Sequence, residues 1–189
     1  MTFPSAEQGG WRNLGEQAIV ETPWFRLRQA RVELPGGQQL DHYVIRLPPL
    51  TMTAMLNSEG RVLLLWRHRF IPDSWSWELP SGIAAPDADL AATATRQALA
   101  ESGWEAVAPH LLLTLRQNSG LTDSAVHIFA SREAIHRGAP EADFEADRIE
   151  WVPLADTPEL IADGQVKDAS TAAALLWLHA DTLPATRGR

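Results

Sequence analysis

The residues best suited to chemistry in this chain lie in two stretches: the charged run Trp66-Arg67-His68-Arg69-Phe70, and one face of the segment LAATATRQALAES from Leu90 to Ser102. An arginine guanidinium is a planar fork that donates two parallel charged hydrogen bonds, which suits the oxygens of a diphosphate. In the second stretch Gln97 and Glu101 stand four apart. On a helix that spacing puts them on one face, with Arg96 and Ala100 one residue back along the same side.

The helix itself follows from local rules. Asp87 or Asp89 offers an N-cap oxygen after Pro86, and the run from Leu90 is rich in strong helix formers, with Leu90, Ala94, Ala98 and Leu99 at helical spacing. Gly103 predicts the stop, because a left-handed residue after the last turn is cheapest without a Cβ.

From Gly82 through Ala88 and Arg96 to Gly103 and Trp104 the chain resembles a Nudix box, the signature of the Nudix hydrolases, in register and without insertion. The four Glu positions of that signature fall here on Ala88, Gln97, Ala100 and Glu101, so the frame matches and most of the acidity is missing. The resemblance implies Mg²⁺ or Mn²⁺, because hydrolysis of a diphosphate uses divalent cations held by hard carboxylate oxygens and by the substrate's phosphates. Glu101 is then the principal metal ligand. Gln97 keeps the shape of Glu with a single acceptor oxygen and no charge, and Ser81 stands where a backbone carbonyl of the family helps to bind metal.

Within the family the order of segments is similar to the ADP-ribose pyrophosphatase branch. That branch carries a Gln-aromatic-Arg segment where this chain has Arg67-His68-Arg69, so the resemblance makes Arg69 the substrate arginine and puts Arg67 in the Gln position. The plain alternative is a solvated strand end with surface arginines. Glu78, in SWSWELP, matches an acidic residue that often faces the active site, although a Glu between Trp77 and Leu79 on a strand points outward to water equally well. In the acidic stretch EADFEADRIE, Glu145, with Asp143 or Asp147 behind it, takes the place of the general base that a loop of this branch supplies; a solvated acidic loop is the alternative. His127 alternates with apolar neighbours and is given no role.

The remaining segments read as scaffold. Trp24–Leu34 and Gln38–Leu47 form a predicted hairpin around Pro35-Gly36-Gly37, and residues 1 to about 12 are expected to be loose. Further strands are expected at Met52–Leu56, Arg61–Trp66, Leu111–Arg116, Ala125–Ser131 and Ile149–Pro153. A short helix is expected over Ala155–Ala162. The last helix, Lys167–Ala180, offers Ala172, Leu175, Leu176 and Leu178 to the core. The resemblance implies an α/β fold, a Nudix α/β/α sandwich with a mixed sheet. Residues 1–48 would form an N-terminal antiparallel strand subdomain that serves dimerisation, and residues 49–189 the Nudix domain.

Composition bounds the partners. With 189 residues, 45% of them hydrophobic, a single core is expected, and a formal charge of -8 disfavours attraction to polynucleotides or anionic membranes. The absence of cysteine, of a leader segment and of a long apolar run predicts a soluble cytoplasmic protein. Eight Trp residues are expected mostly to fill core, with a few at a base or a homodimer interface. Three readings follow: a Nudix hydrolase of the ADP-ribose pyrophosphatase type acting on a small nucleotide with weakened activity, a catalytically silent nucleotide or ADP-ribose binder, and a structural or interaction protein.

Overall fold

The structure, a computed structural model, describes residues 10–141 and 145–182. The expected looseness of residues 1 to 12 falls for the most part outside them, as does Asp143. The chain divides into two units, the first taking the residues up to Pro48 with Arg116–Ser124, the second Pro49–Leu115 with Ala125 onward.

In the first unit β1 (Arg12–Glu21), β2 (Arg26–Glu33) and β3 (Gln39–Arg46) make an antiparallel sheet with β2 in the middle. The hairpin lies where alternation put it, and Gly37 takes the positive φ of its turn. Alternation does not reveal β1. Two register shifts, between Asn13 and Gly15 and between Ala18 and Val20, break its period of two. A turn from Arg116 to Ser124 docks on β3: the Ile45 N–H donates to Leu121 O, and Arg46 pairs with Glu16 and Asp123.

The second unit is built on β4 (Leu50–Met55), β5 (Arg61–Arg69), β6 (Ser74–Glu78), β7 (Ser81–Ile83), helix α1 (Leu90–Ser102), β8 (Trp104–Ala106), β9 (His110–Arg116), β10 (Ala125–Ser131), β11 (Ala134–His136) and β12 (Arg148–Pro153). A 3₁₀ turn, α2 (Thr157–Ala162) and α3 (Ala169–Thr182) complete it. One sheet runs β7-β4-β10-β9, with β4 parallel to β10 and antiparallel to β7; another runs β12-β5-β6.

Alternation along the central strands sorts the core into two layers. Met52, Ala54, Val62 and Leu64 pack with Ala174, Leu175 and Leu178 of α3, whereas Met55 and Leu63 pack with Ala98 of α1. The sheet residues therefore have a helix on each face, as a strand with four consecutive buried apolar residues, Val62 to Leu65, requires. Leu176 is an exception to expectation: it is exposed, because it follows Leu175 around the helix and turns away from the core.

Half of the eight tryptophans, Trp66, Trp77, Trp104 and Trp151, belong to or pack against the core. Only Trp77 is buried, whereas Trp11, Trp24, Trp75 and Trp177 are exposed and Trp66, Trp104 and Trp151 half-buried. Trp66 lies 5.2 Å from Trp77 and stacks on Trp75, and the Arg148 guanidinium sits over Trp66 and Trp77, so the group forms a cation-capped aromatic wall.

Candidate active site

Period two fixes which side of β5 carries the site. Arg67 and Arg69 continue the line of Leu63 and Leu65 toward α1, while Trp66 and His68 face the other way. The β5–β6 register pairs Leu65 with Glu78, which brings Glu78 to the same face as the two arginines and leaves Trp77 opposite Trp66. Glu78 is thus buried and turned inward.

The helix contributes its last turn. Asp89 caps α1 by accepting from the N–H groups of Ala91 and Ala92. Gly103, at φ 74°, ends it, and a Cβ there would lie 2.0 Å from the carbonyl oxygen of Gly138. Ala94, Ala98 and Glu101 form its buried stripe. Glu101 therefore sits at the negative end of the helix dipole, where a carboxylate is unfavourable without a cation beside it.

Arg67 is that cation. It is 2% exposed, and its Nη2 donates to Glu101 Oε2 at 2.7 Å. The backbone N–H of Ser81 donates to the same oxygen at 3.1 Å. Arg67 Nη1 lies 3.8 Å from Glu145 Oε2, and Nε lies 3.9 Å from Glu78 Oε2, both beyond hydrogen-bond reach, and the buried Nε–H has no partner among the described residues. Arg69, with 43% of its side chain exposed, grips Glu78 from the open side, Nε at 3.0 Å and Nη2 at 2.5 Å from Oε2. The order is Arg69, Glu78, Arg67, Glu101, with Glu145 at the flank.

Burial pushes the Glu101 carboxyl above its ordinary pKa; Arg67 and the Ser81 N–H oppose that rise, and Glu145 adds to it. Burial also works against the charge of Arg69, but Glu78, Glu101 and Glu145 outweigh it and hold its pKa up. Both arginines remain cations.

The structure brings six of the residues singled out from the sequence together. Glu78, Glu101, Glu145, Arg67, Arg69 and Ser81 converge, with Arg67, the residue in the Gln position, at the hub. The alternation Leu63, Leu65, Arg67 was the signal for it. Ser81 meets Glu101 through its N–H. Gln97 lies over Gly82, so close that a Cβ there would be 2.4 Å from its Cγ and Cδ. His68 stands outside the cluster and reaches Asp73 at 3.0 Å, and Asp147 is exposed beside Arg148.

Nudix hydrolases as a family use divalent metals, and the donor set here does not fit a family-like metal centre. The helix brings one carboxylate, already engaged by a guanidinium; Ala88 and Ala100 bring no donor; and Glu78 is held by Arg69. Among the described residues no group of three or more His, Cys, Asp or Glu side chains is arranged to hold a metal ion.

Residues 46–175 match the NUDIX domain, and residues 11–45 match the nucleoside diphosphate sugar hydrolase N-terminal domain. A Streptomyces rubellomurinus protein named CMP-5'-(N-acetyl-N-hydroxy-3-aminopropyl)phosphonate hydrolase is 34% identical over 88% of this chain and 81% of its own. An ADP-ribose pyrophosphatase of Mycobacterium tuberculosis is 27% identical over 84% of this chain and 78% of its own. A solved structure titled as an ADP compounds hydrolase superposes with a TM-score of 0.79 over 93% of this chain and 96% of its own, at 17% identity, a likeness of fold. With the NUDIX domain matched over residues 46–175, this chain belongs to the Nudix family, in its ADP-ribose pyrophosphatase-like branch.

Proposed function

We propose that the chain is a hydrolase of the anhydride linking two phosphorus atoms, acting on a nucleoside diphosphate joined to a sugar or a similar group, ADP-ribose-like or CMP-linked, with activity weakened by the losses at Ala88, Gln97 and Ala100. The observation that carries this reading is the convergence of two guanidiniums and three carboxylates around Arg67, beside the last turn of α1. The names of the Streptomyces and Mycobacterium relatives supply the two substrate classes.

In this reading Arg69, the solvent-facing fork, turns part of its donor set from Glu78 to a substrate phosphate, and Arg67 lies behind it as fixed positive charge. A water oxygen bonds to one phosphorus, the bond from that phosphorus to the bridging oxygen breaks, and the electron pair leaves with the second phosphorus group. Glu145 takes the water's proton; its side chain is partly exposed and its oxygen lies 3.8 Å from Arg67 Nη1. Glu101 and the Ser81 N–H hold Arg67 in place.

The second reading, a silent binder of nucleotide or ADP-ribose, is favoured by the Arg67–Glu101 pair itself, which ties up the carboxylate of the box helix. Phosphate release after phosphatase coupling, from ADP-ribose, nucleotide sugars and a CMP-linked phosphonate, separates the two. Turnover lost in Glu101→Gln supports the hydrolase; ligand-dependent stabilisation without turnover supports the binder. We also propose a homodimer built through the first unit, whose β1 is exposed along its length and carries Leu14, Ile19 and Val20; its test is a solution mass of twice 20.8 kDa.

A further inference from the structure

We infer that Arg67 is a resident cation standing in for the divalent ion of this site, so that the cluster binds its anionic ligand without a metal.

Two sets of substitutions in one chain point this way. Relative to the box it resembles, the helix has lost acidity at Ala88, Gln97 and Ala100, and the facing strand has gained a fixed positive charge at Arg67. Each change alone would be unfavourable. A guanidinium buried among the full set of box carboxylates would exclude their metal, and the surviving carboxylates without any cation would be uncompensated charges in a dry site. Together they balance.

The geometry is that of a coordination centre with a guanidinium at its middle. Three carboxylates from three segments surround Arg67: Nη2 donates to Glu101 of α1, while Glu145 before β12 lies 3.8 Å from Nη1 and Glu78 of β6 lies 3.9 Å from Nε, within ion-pair range and beyond hydrogen-bond reach. The Ser81 N–H also converges on the Glu101 oxygen that Arg67 engages. A divalent ion seeking that oxygen meets both donors and the repulsion of a charge it cannot displace, since arginine does not deprotonate. The Nε, buried and without a hydrogen-bond partner among the described residues, is a donor left over for a ligand oxygen.

This inference rests on the diphosphate reading only for its ligand, so its test begins without one. Mn²⁺ is titrated into the full-length protein, and into Arg67→Gln and Arg67→Lys, with free Mn²⁺ read by electron paramagnetic resonance and folding checked by circular dichroism. The wild type is expected to take up no stoichiometric Mn²⁺ up to roughly 1 mM, the weak end of carboxylate sites. Arg67→Gln is expected to bind one Mn²⁺ with a dissociation constant at least about tenfold below that limit of roughly 1 mM, and Arg67→Lys to behave as the wild type. Tight stoichiometric uptake by the wild type, or no gain in folded Arg67→Gln, overturns the inference. Should Arg67→Gln not fold, the wild-type titration still decides. A second arm measures ADP-ribose binding by calorimetry in EDTA and in Mg²⁺: equal affinities support a metal-free site, and binding only with Mg²⁺ overturns it. Absence of ADP-ribose binding in both buffers counts against that ligand and leaves the Mn²⁺ result standing.

Discussion

Arg67 and Glu101, one at the end of β5 and the other in the last turn of α1, form a buried ion pair 2.7 Å long that ties the strand to the helix. Neither has a bland role: each is the charge that permits the other to be buried. Removing one partner of such a pair costs about 3–5 kcal/mol, mostly because the other charge is left alone. We expect Glu101→Gln and Arg67→Gln each to lower stability in urea by roughly 3 kcal/mol, and the double variant by less than the sum, with at least about 1 kcal/mol of coupling. Additive losses would mean that the pair contributes nothing as a pair.

The contact of Gln97 with Gly82 gives a second cycle. Gly82→Ala drives a methyl group into the Gln97 side chain and should cost about 1–3 kcal/mol, a usual range for overpacking. Gln97→Ala in the same chain opens that space, and the melting temperature of the double variant should recover most of the loss. A Gly82→Ala defect unchanged by Gln97→Ala would place its cause elsewhere.

Arg69 gives a prediction about recognition. Lysine at this position keeps a charge beside Glu78 but loses the planar fork, so Arg69→Lys should raise the KM for a diphosphate substrate about tenfold, leaving kcat within about twofold and the melting temperature little changed. A fall in kcat at constant KM would give Arg69 a role in the reaction itself.

The first unit carries the clearest dependence on pH. Its hydrogen bond from Arg46, helped by Asn13 and opposed by burial, holds the Glu16 carboxyl below its ordinary pKa, and Arg46 in turn is raised by Glu16. A depressed carboxylate stabilises the fold above its unfolded pKa and loses that contribution as pH falls through the folded one. Glu16→Gln should therefore melt below the wild type at about pH 7, and the gap should close as pH falls below the ordinary carboxylate range of about 4. A gap that persists in acid would separate the effect from ionisation.

The sequence made the helix and its surroundings legible because their signals are local. Asp89, the helix formers after it and Gly103 specify α1 whatever it packs against, and alternation specifies β2, β3 and β10. Bulges erase alternation in β1, and β7, β8 and β11 have only three residues each, too few for a period to register. The site was legible as a set of residues and not as an arrangement. Whether Glu78 faces water or core depends on the pairing of Leu65 with Glu78, a long-range register that no neighbour of Glu78 encodes. Beyond the alternation of β5, the burial of Arg67 has no local signal, because a buried arginine is rare and acceptable only when its partners arrive from distant segments, here Glu101, Glu78 and Glu145.

The central claim is that this chain opens a phosphorus anhydride with water. The most direct test incubates the wild-type protein with ADP-ribose and with a CMP-linked phosphonate in water enriched in ¹⁸O, followed by mass spectrometry of the products. Cleavage into two single-phosphorus products is expected, one of them carrying one ¹⁸O from each turnover. Intact substrate after many enzyme equivalents, or products with no label, would contradict it.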